Sequence, residues 1–388
     1  MTSYATDPGA SSMTPPDPSG FGPDVSGPDR EAGLWTVDVL NASISMRGLS
    51  DAEMHELDRC WQRCNPRRGG ESETVATRQG ELSWRQQQED IVSMLTLAGI
   101  NSAAGERLMF HAGGISDPET GRSLALVAKS GTGKTTAVRN LAQHFGYLSD
   151  ETIAIDPGSL RILPYPKPLS VLGQDGNRPK RQYSPDELGL LPAASHPVLG
   201  KIAVLNRVPG TAEALAEPLD TTAALRLLVP DSSSLSRLER GLVALLEVLE
   251  RTGGAVRISY GENTQLTPLV PELLRQGPIA NPDGRDWTPA DLTVDGPQRP
   301  GPGAGRLRRI VPDDAIWLGD SAAILNAERL DVISGIGATI WAAARTWTDQ
   351  EQLHEAVVAA HGPHPDSAAL AADAVASLLE ARLLVRCA

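Results

Sequence analysis

Aromatic side chains make up only 4% of the 388 residues. Any core the chain builds must therefore be filled by Leu, Val, Ile and Ala. Cysteine is scarcer still: Cys60, Cys64 and Cys387 form an odd, sparse set that excludes a disulfide scaffold. Cys60 and Cys64 lie four apart, with His55 as the one nearby third ligand and no second Cys pair close by, so they read as reduced thiols rather than a metal or redox centre. No apolar run approaches the roughly 18 residues that a membrane span needs. The N-terminus is polar, acidic and Pro-rich, unlike a signal peptide, so the expectation is a cytoplasmic protein with no membrane partner. Positive charge is also short. A net charge of −13 repels phosphate backbones and sets nucleic acid aside as a partner. The one compact basic run, Arg306 to Arg309, reads as the solvated start of a strand.

Proline and glycine are plentiful instead, with 30 and 37 residues. Residues 1–32, rich in both, offer too little apolar surface to offset their ordering entropy and are expected to be a disordered tail. Residues 33–107 are expected to form a small N-terminal α+β region. Trp35 to Met46 alternates like a half-buried strand. Ser50-Asp51-Ala52-Glu53 is a capping box, followed by Met54, Leu57, Trp61 and Cys64 at helical spacing. A polar loop over 66–82 and a second helix over 84–98 complete the region. Residues 108–276 alternate strands (108–115, 123–127, 147–155, 160–171, 201–208, 255–260) with helices (134–144, 219–228, 235–251), the pattern of an α/β core around a central sheet. The apolar run beginning Lys201-Ile202-Ala203-Val204 reads as a strand buried on both faces. Residues 277–305 read as a Pro/Gly linker. Residues 306–388 read as a separate small domain, with a strand at 309–311, a hairpin over 316–326 and helices at 328–346, 349–361 and 366–381. Thr348 and Glu351 are placed as a capping box, and the tail 383–385 can return as a strand.

The segment Ala128-Lys129-Ser130-Gly131-Thr132-Gly133-Lys134-Thr135 joins an apolar strand to an amphipathic helix. The phosphate-loop pattern is G-x-x-x-x-G-K-[ST], and only its first glycine is replaced, by Ala128. Gly131 and Gly133 can take backbone angles closed to other residues. Successive N–H groups can then surround a β-phosphate, and the helix start adds its positive dipole end. Lys134 would bring a full charge to the β and γ oxygens. Thr135, followed by Thr136, would offer a hydroxyl to Mg²⁺. The expected ligands are ATP, or a related nucleoside triphosphate, and Mg²⁺.

Phosphoryl transfer also needs a metal ligand and a proton acceptor. The next polar cluster, Tyr147-Leu148-Ser149-Asp150-Glu151, falls in a strand expected beside the phosphate-loop strand. Adjacent carboxylates in a strand point to opposite faces. One would reach the metal or nucleophile while the other braces the loop, and strand register decides which. His111 ends a strand before the loop, and Gly113-Gly114 behind it would let backbone approach a phosphate closely.

Taken in order, His111-Ala112-Gly113, then Ser130 to Thr135, then Leu148-Ser149-Asp150-Glu151 resemble the HPr kinase/phosphorylase superfamily, over roughly residues 105–262. The resemblance implies a P-loop kinase core of HPr-kinase type in which Asp150 is general base toward a Ser hydroxyl. Glu151 with Thr135 would hold Mg²⁺, and His111 would line the γ-phosphate pocket. The stretch Tyr165-Pro166-Lys167-Pro168-Leu169-Ser170 is similar to that of the smaller kinase-like members, which makes Lys167 and Arg207 candidate partners of nucleotide or substrate. Thr136 stands where the full-length enzymes carry an acidic residue, and the later glycine-rich signature is missing, which argues against reverse phosphorolysis and against HPr as the acceptor.

The C-terminal residues Ala323-Ile324-Leu325-Asn326 and Ile333 to Trp341 resemble the PqqD family of winged-helix-like modules. That resemblance implies capture of a peptide along a sheet edge, with Trp341 as a core anchor. The expected function is an ATP-dependent serine kinase acting on a peptide or small protein recruited through residues 306–388. The alternative is a catalytically weak, nucleotide-gated binding module. A DNA-binding regulator and a small-molecule kinase are weaker options. Family members form rings or dimers, which leaves a homo-oligomer open.

Overall fold

The apolar alternation that begins at Trp35 breaks at Leu40-Asn41, and there the chain turns back on itself. In the computed structural model, which describes residues 34–70, 72, 74–77, 82–129, 131–172, 178–275, 285–295 and 305–387, one expected strand becomes a hairpin of β1 (Trp35–Val39) and β2 (Ala42–Arg47). The expected tail over 1–32, Ser130 and parts of the expected linker (277–284 and 296–304) lie outside the described residues. The capping box forms as read: Ser50 Oγ accepts from the Glu53 N–H and starts α1 (Asp51–Cys60). β3 (Arg67–Arg68) and β4 (Thr74–Thr77) complete a four-stranded sheet, order β3-β1-β2-β4. Helix α2 (Trp84–Ala103), longer than expected, packs across it, and Gly99 allows the approach: a Cβ there would meet Val39 Cγ1 at 2.5 Å.

The middle of the chain runs β5 (Leu108–Phe110), β6 (Ala112–Ser116), β7 (Arg122–Val127), α3 (Lys134–Leu141), β8 (Gly146–Ser149), β9 (Ile153–Ile155), β10 (Ile162–Leu163), β11 (Leu169–Val171) and β12 (Arg181–Tyr183). It continues with β13 (Val198–Arg207), β14 (Leu215–Pro218), α4 (Thr221–Leu228), β15 (Ser232–Ser233), α5 (Gly241–Arg251), β16 (Ala255–Tyr260) and α6 (Val270–Arg275). Six strands form a mixed sheet in the order β14-β16-β13-β7-β6-β8. β7, β13 and β16 are parallel; β6 runs against β7 and β8, and β14 against β16. Alternate residues of one strand feed opposite cores, which is why these strands read as continuous apolar runs. On β7, Leu124 and Leu126 pack with α3 and α6, whereas Ala125 and Val127 pack with α4 and α5.

Three expected strands of this part are each split; residues 160–171 become β10 and β11. Residues 108–115 divide at His111 into β5 and β6, and residues 147–155 divide at Asp150 to Thr152 into β8 and β9. β5 and β9 belong to a second sheet, β10-β9-β5-β15. The breaks at His111 and at Asp150 to Thr152 carry no Gly or Pro; at the second, the Ser149 hydroxyl accepts from the Glu151 (3.2 Å) and Thr152 (3.3 Å) N–H groups and makes the turn.

The C-terminal part contains β17 (Thr288–Pro289), β18 (Leu307–Arg309), β19 (Asp314–Leu318), β20 (Ser321–Asn326) and β21 (Arg329–Ile333). α7 (Ile336–Ala343), α8 (Gln350–His361), α9 (Ser367–Glu380) and β22 (Leu384–Arg386) follow. The helix expected from residue 328 starts only at Ile336, because 329–333 add a strand to the sheet β17-β19-β20-β21. The box that starts α8 is Asp349 with Gln352, one residue later than Thr348 and Glu351; Thr348 pairs its backbone with Leu307 instead. Residues 285–295, inside the expected linker, are built into the fold: β17 pairs with β19, and Trp287 is 3% exposed in the cluster that holds Leu242 and Leu246. Arg309 is buried rather than solvated, its guanidinium 4.4 Å from the Trp341 ring centre. Asp314 caps α5 from the C-terminal sheet. Its carboxylate accepts from the Leu242 N–H (2.8 Å), the Val243 N–H (3.1 Å) and Arg240 Nε (2.7 Å).

Candidate functional site

The sheet topology explains why the residues singled out above meet. β7 and β8 both end on the same edge of the sheet, and the antiparallel β6 between them begins there. The end of β7 leads into the glycine loop, the end of β8 into Asp150 and Glu151, and the start of β6 follows His111.

Gly131 (φ 82°) and Gly133 (φ 91°) adopt left-handed conformations, and nothing lies within 4 Å of where a Cβ would stand on either. A side chain is excluded by backbone strain, not by crowding, and the loop faces open space. Thr132 Oγ1 donates to the Lys129 carbonyl (2.7 Å) and closes the turn. Ala128, in place of the first glycine, is 1% exposed and packs in the cluster that holds Val138 and Leu141. Thr136 points outward from the first turn of α3.

Lys134 is 7% exposed, and its Nζ donates to the His111 carbonyl at 2.9 Å. The His111 N–H in turn donates to the Asp231 carbonyl at 2.7 Å. What His111 gives Lys134 is therefore its backbone, not its ring. Burial first, then the Lys134 charge, holds the ring below its ordinary pKa, so it is neutral at neutral pH. Burial also drives the Lys134 ammonium down to about 8, against the pull of Asp150, Asp231 and Glu151.

Asp150 and Glu151 do not point to opposite faces. They follow the end of β8 in a bend, where strand alternation no longer applies, and both converge on Lys167 Nζ, at 2.9 and 3.0 Å. Asp150 also accepts from the Tyr147 hydroxyl (3.1 Å) and from Thr135. Although its complete burial opposes ionisation, Lys167 and these donors hold its carboxyl below the ordinary value. Lys167 is 1% exposed, and the two carboxylates outweigh its burial and push its pKa up. It is thus no surface charge. The Tyr165 N–H donates to the Leu148 carbonyl (3.0 Å), which lays the Tyr-Pro-Lys-Pro segment along β8. Tyr165 is braced from the N-terminal region by Thr96 (3.0 Å) and Trp61.

Some expectations change. Gly113 and Gly114 do not open space for a phosphate. A Cβ on Gly113 would meet Val138 Cγ2 at 2.2 Å, and one on Gly114 would meet Ile153 Cδ1 at 2.5 Å, so the pair lets α3 and β9 close on β6. Arg207 stands at the end of β13, 43% exposed, and pairs with Glu262 (3.6 Å) and the Gly261 carbonyl (3.1 Å). Asp231 was not singled out from the sequence, and Tyr147 was named only as part of its polar cluster, with no role, because a Tyr three residues before an acidic pair carries no local signal of its own. Cys60 and Cys64 are both buried, and burial pushes the Cys64 thiol up to about 12. Among the described residues no group of three or more His, Cys, Asp or Glu is gathered as a metal cluster. The hydroxyl of Thr135 and the carboxylates of Asp150 and Glu151 are nevertheless hard oxygen donors, the kind magnesium takes together with waters and phosphate oxygens, and Thr135 already touches Asp150. This donor set fits magnesium.

An open cleft of about 460 Å³ lies elsewhere, between Arg226, Pro230 and the β20–β21 turn. It holds neither a glycine loop nor a carboxylate pair, so the chemistry stays with Lys134 and Asp150. No helix among the described residues is long and apolar enough to cross a membrane. Neither a family model nor a curated protein matches the sequence. Among solved structures, an Hpr(Ser) kinase/phosphatase from Coxiella burnetii is matched at 11% identity and a TM-score of 0.25, over 43% of this chain and 93% of that one. At that score the likeness decides nothing, and the site stands on its own geometry.

Proposed function

We propose that the chain is an ATP-dependent kinase that moves the γ-phosphate to a Ser hydroxyl of a peptide or small protein. The observation that carries this is the meeting of Lys134, Thr135 and Asp150 at one edge of the sheet, beside a glycine loop open to solvent. When bound, magnesium-ATP supplies an activated phosphoryl group and neutralises charge on it. The N–H groups of the loop and the first turn of α3 orient the phosphates. Lys134, pinned by the His111 carbonyl, stands ready to offset charge at the β and γ oxygens. Thr135 and Glu151 would hold the metal. Asp150 is ionised at neutral pH, as a proton acceptor must be. As the Ser oxygen bonds to phosphorus and the bridging oxygen leaves with the diphosphate, the hydroxyl proton passes to Asp150. Its depressed pKa makes it a weak base, suited to late proton transfer.

The test is incubation of purified protein with γ-labelled ATP and Mg²⁺, with and without candidate peptides, beside Lys134→Ala and Asp150→Asn. Label on a peptide that disappears in both variants supports the kinase. A second function has one specific observation behind it: Asp150 is already engaged by Lys167, Tyr147 and Thr135, which suits a nucleotide-gated binding module. Lys134-dependent nucleotide binding without transfer or hydrolysis would favour that module.

A further inference from the structure

Lys167 is a charged group of this site that the proposed chemistry does not use. A lysine has three N–H donors. Here they meet Asp150 Oδ1 at 2.9 Å, Glu151 Oε2 at 3.0 Å and the Pro168 carbonyl at 3.1 Å. No donor is left over for a phosphate oxygen. The residue is also immobilised along its backbone. Pro166 and Pro168 flank it, and a proline restricts both itself and the residue before it. The Tyr147 hydroxyl lies 3.3 Å from the Lys167 carbonyl and 3.1 Å from Asp150, tying the lysine backbone to the carboxylate it faces. The triad has one open side: the Glu151 side chain is 31% exposed, whereas those of Lys167 and Asp150 are 2% and 3%.

Two adjacent carboxylates beside a threonine hydroxyl would attract a bare divalent cation from solution. An ammonium between them cancels one of the two charges and occupies an oxygen of each. Lys134 also feels these carboxylates, Asp150 most, then Asp231 and Glu151, but its ammonium is held by the His111 carbonyl at 2.9 Å rather than between the two carboxylates.

Building on the nucleotide site argued above, we propose that Lys167 is the resident counter-cation of the Asp150–Glu151 pair. It orients both carboxylates before the nucleotide arrives and keeps them from capturing a free divalent cation, so that the metal enters only with the triphosphate. Glu151, the exposed arm, exchanges Lys167 for the incoming metal, while Asp150 keeps Lys167 and stays in place. Lys167 touches neither phosphate nor acceptor; it is a positioning residue.

The experiment is titration with Mn²⁺ alone, followed by the paramagnetic signal of the free ion, on wild type, Lys167→Met and Lys167→Arg, each confirmed folded by circular dichroism. Removing one unit charge next to a divalent ion is expected to tighten Mn²⁺ binding at least about tenfold in Lys167→Met. Lys167→Arg is expected to titrate as weakly as wild type. A merely structural lysine would lower the melting temperature without creating metal affinity. A folded Lys167→Met that binds Mn²⁺ no better than wild type overturns the proposal, and so does tight binding by Lys167→Arg. The wild type gives a check that needs no variant: Mn²⁺ should be retained only when a non-hydrolysable ATP analogue is present, and strong retention of Mn²⁺ alone refutes the role of Lys167. If the wild type fails to bind the fluorescent analogue mant-ATP, the nucleotide function falls, whereas a negative Mn²⁺ comparison removes only the part given to Lys167.

Discussion

Gly113 is where the sequence most directly controls the position of the glycine loop. Its Cβ would stand 2.2 Å from Val138 Cγ2 and 3.6 Å from Lys134 Cγ, on the face where α3 lies against β6. Carbon atoms in contact settle near 3.5–4.0 Å, so Gly113→Ala demands a displacement of more than about 1 Å. Val138 cannot swing aside, since a β-branched side chain in a helix is held to one rotamer. The helix that begins at Lys134 must move instead. Overpacking of this kind costs about 1–3 kcal/mol, while the lost freedom of the unfolded glycine returns about 0.4–1 kcal/mol. Val138→Ala alone removes two buried methyl groups and is expected to cost about 2 kcal/mol with its cavity. In the double variant the new methyl fills the space the valine vacates. The two effects should therefore fall short of their sum by about 1–2 kcal/mol. Urea and thermal unfolding midpoints of the four proteins measure this, with nucleotide affinity as a second readout: weakened in Gly113→Ala and recovered in the double variant. Additive effects, within about 0.5 kcal/mol, would refute the idea that these two residues set the seating of the helix.

Asp314→Ala should be among the most damaging changes outside the site, because it strips two N–H groups and Arg240 of a fully buried acceptor. A loss of about 3 kcal/mol is expected, read as a drop in melting temperature. Thiol titration of the native protein at pH 8 should modify Cys387, which is partly exposed, while Cys60 and Cys64 react only after denaturation. Rapid labelling of Cys64, whose thiol is pushed up to about 12, would contradict its burial. Lys134 binds phosphate as an ammonium, and its folded pKa of about 8 lies below its unfolded value. Nucleotide binding above pH 8 should therefore take up a proton and weaken as pH rises, whereas near pH 7 Lys134 is already largely protonated and contributes little uptake. Calorimetry in buffers of different ionisation enthalpy measures the uptake.

The legible parts were those in which neighbours in sequence are neighbours in the fold. The strand–loop–helix around Lys134 and the two-faced strand over 201–208 needed no distant partner to be read. The split at His111 was not legible, because two sheets share one apolar run there; the split at Asp150 had a turn signal in Ser149-Asp150 that the apolar residues on either side outweighed. The error at Asp150–Glu151 followed directly: alternation was applied to residues that had left the strand. Burial of Lys167 was hidden for a related reason. A lysine between two prolines looks like surface until the carboxylates 16 and 17 residues earlier are known to fold onto it. Residues 329–333, Arg-Leu-Asp-Val-Ile, carry β-branched residues that suit a strand, but the longer helix behind them claimed them by continuity.

The largest change concerns how a recruited peptide would reach the site. A flexible tether raises effective concentration by letting one module search around another, and the composition of 277–305 suggested that arrangement. The described part of that segment is instead packed against the core. β17 pairs with β19, Trp287 sits among Leu242 and Leu246, and Ile316, Ala323 and Leu325 of the C-terminal sheet fill the same cluster. Asp314 then fixes that sheet to the start of α5 through buried, charge-assisted hydrogen bonds. Separating the two parts would expose this apolar surface and leave a buried carboxylate unpaired, a cost far above thermal energy. A peptide held by the C-terminal unit would thus be presented at a fixed distance and angle. The reach of the peptide itself, rather than that of a linker, would decide which hydroxyl arrives at Asp150, so acceptor choice in the proposed kinase becomes a question of spacing between the bound segment and the serine.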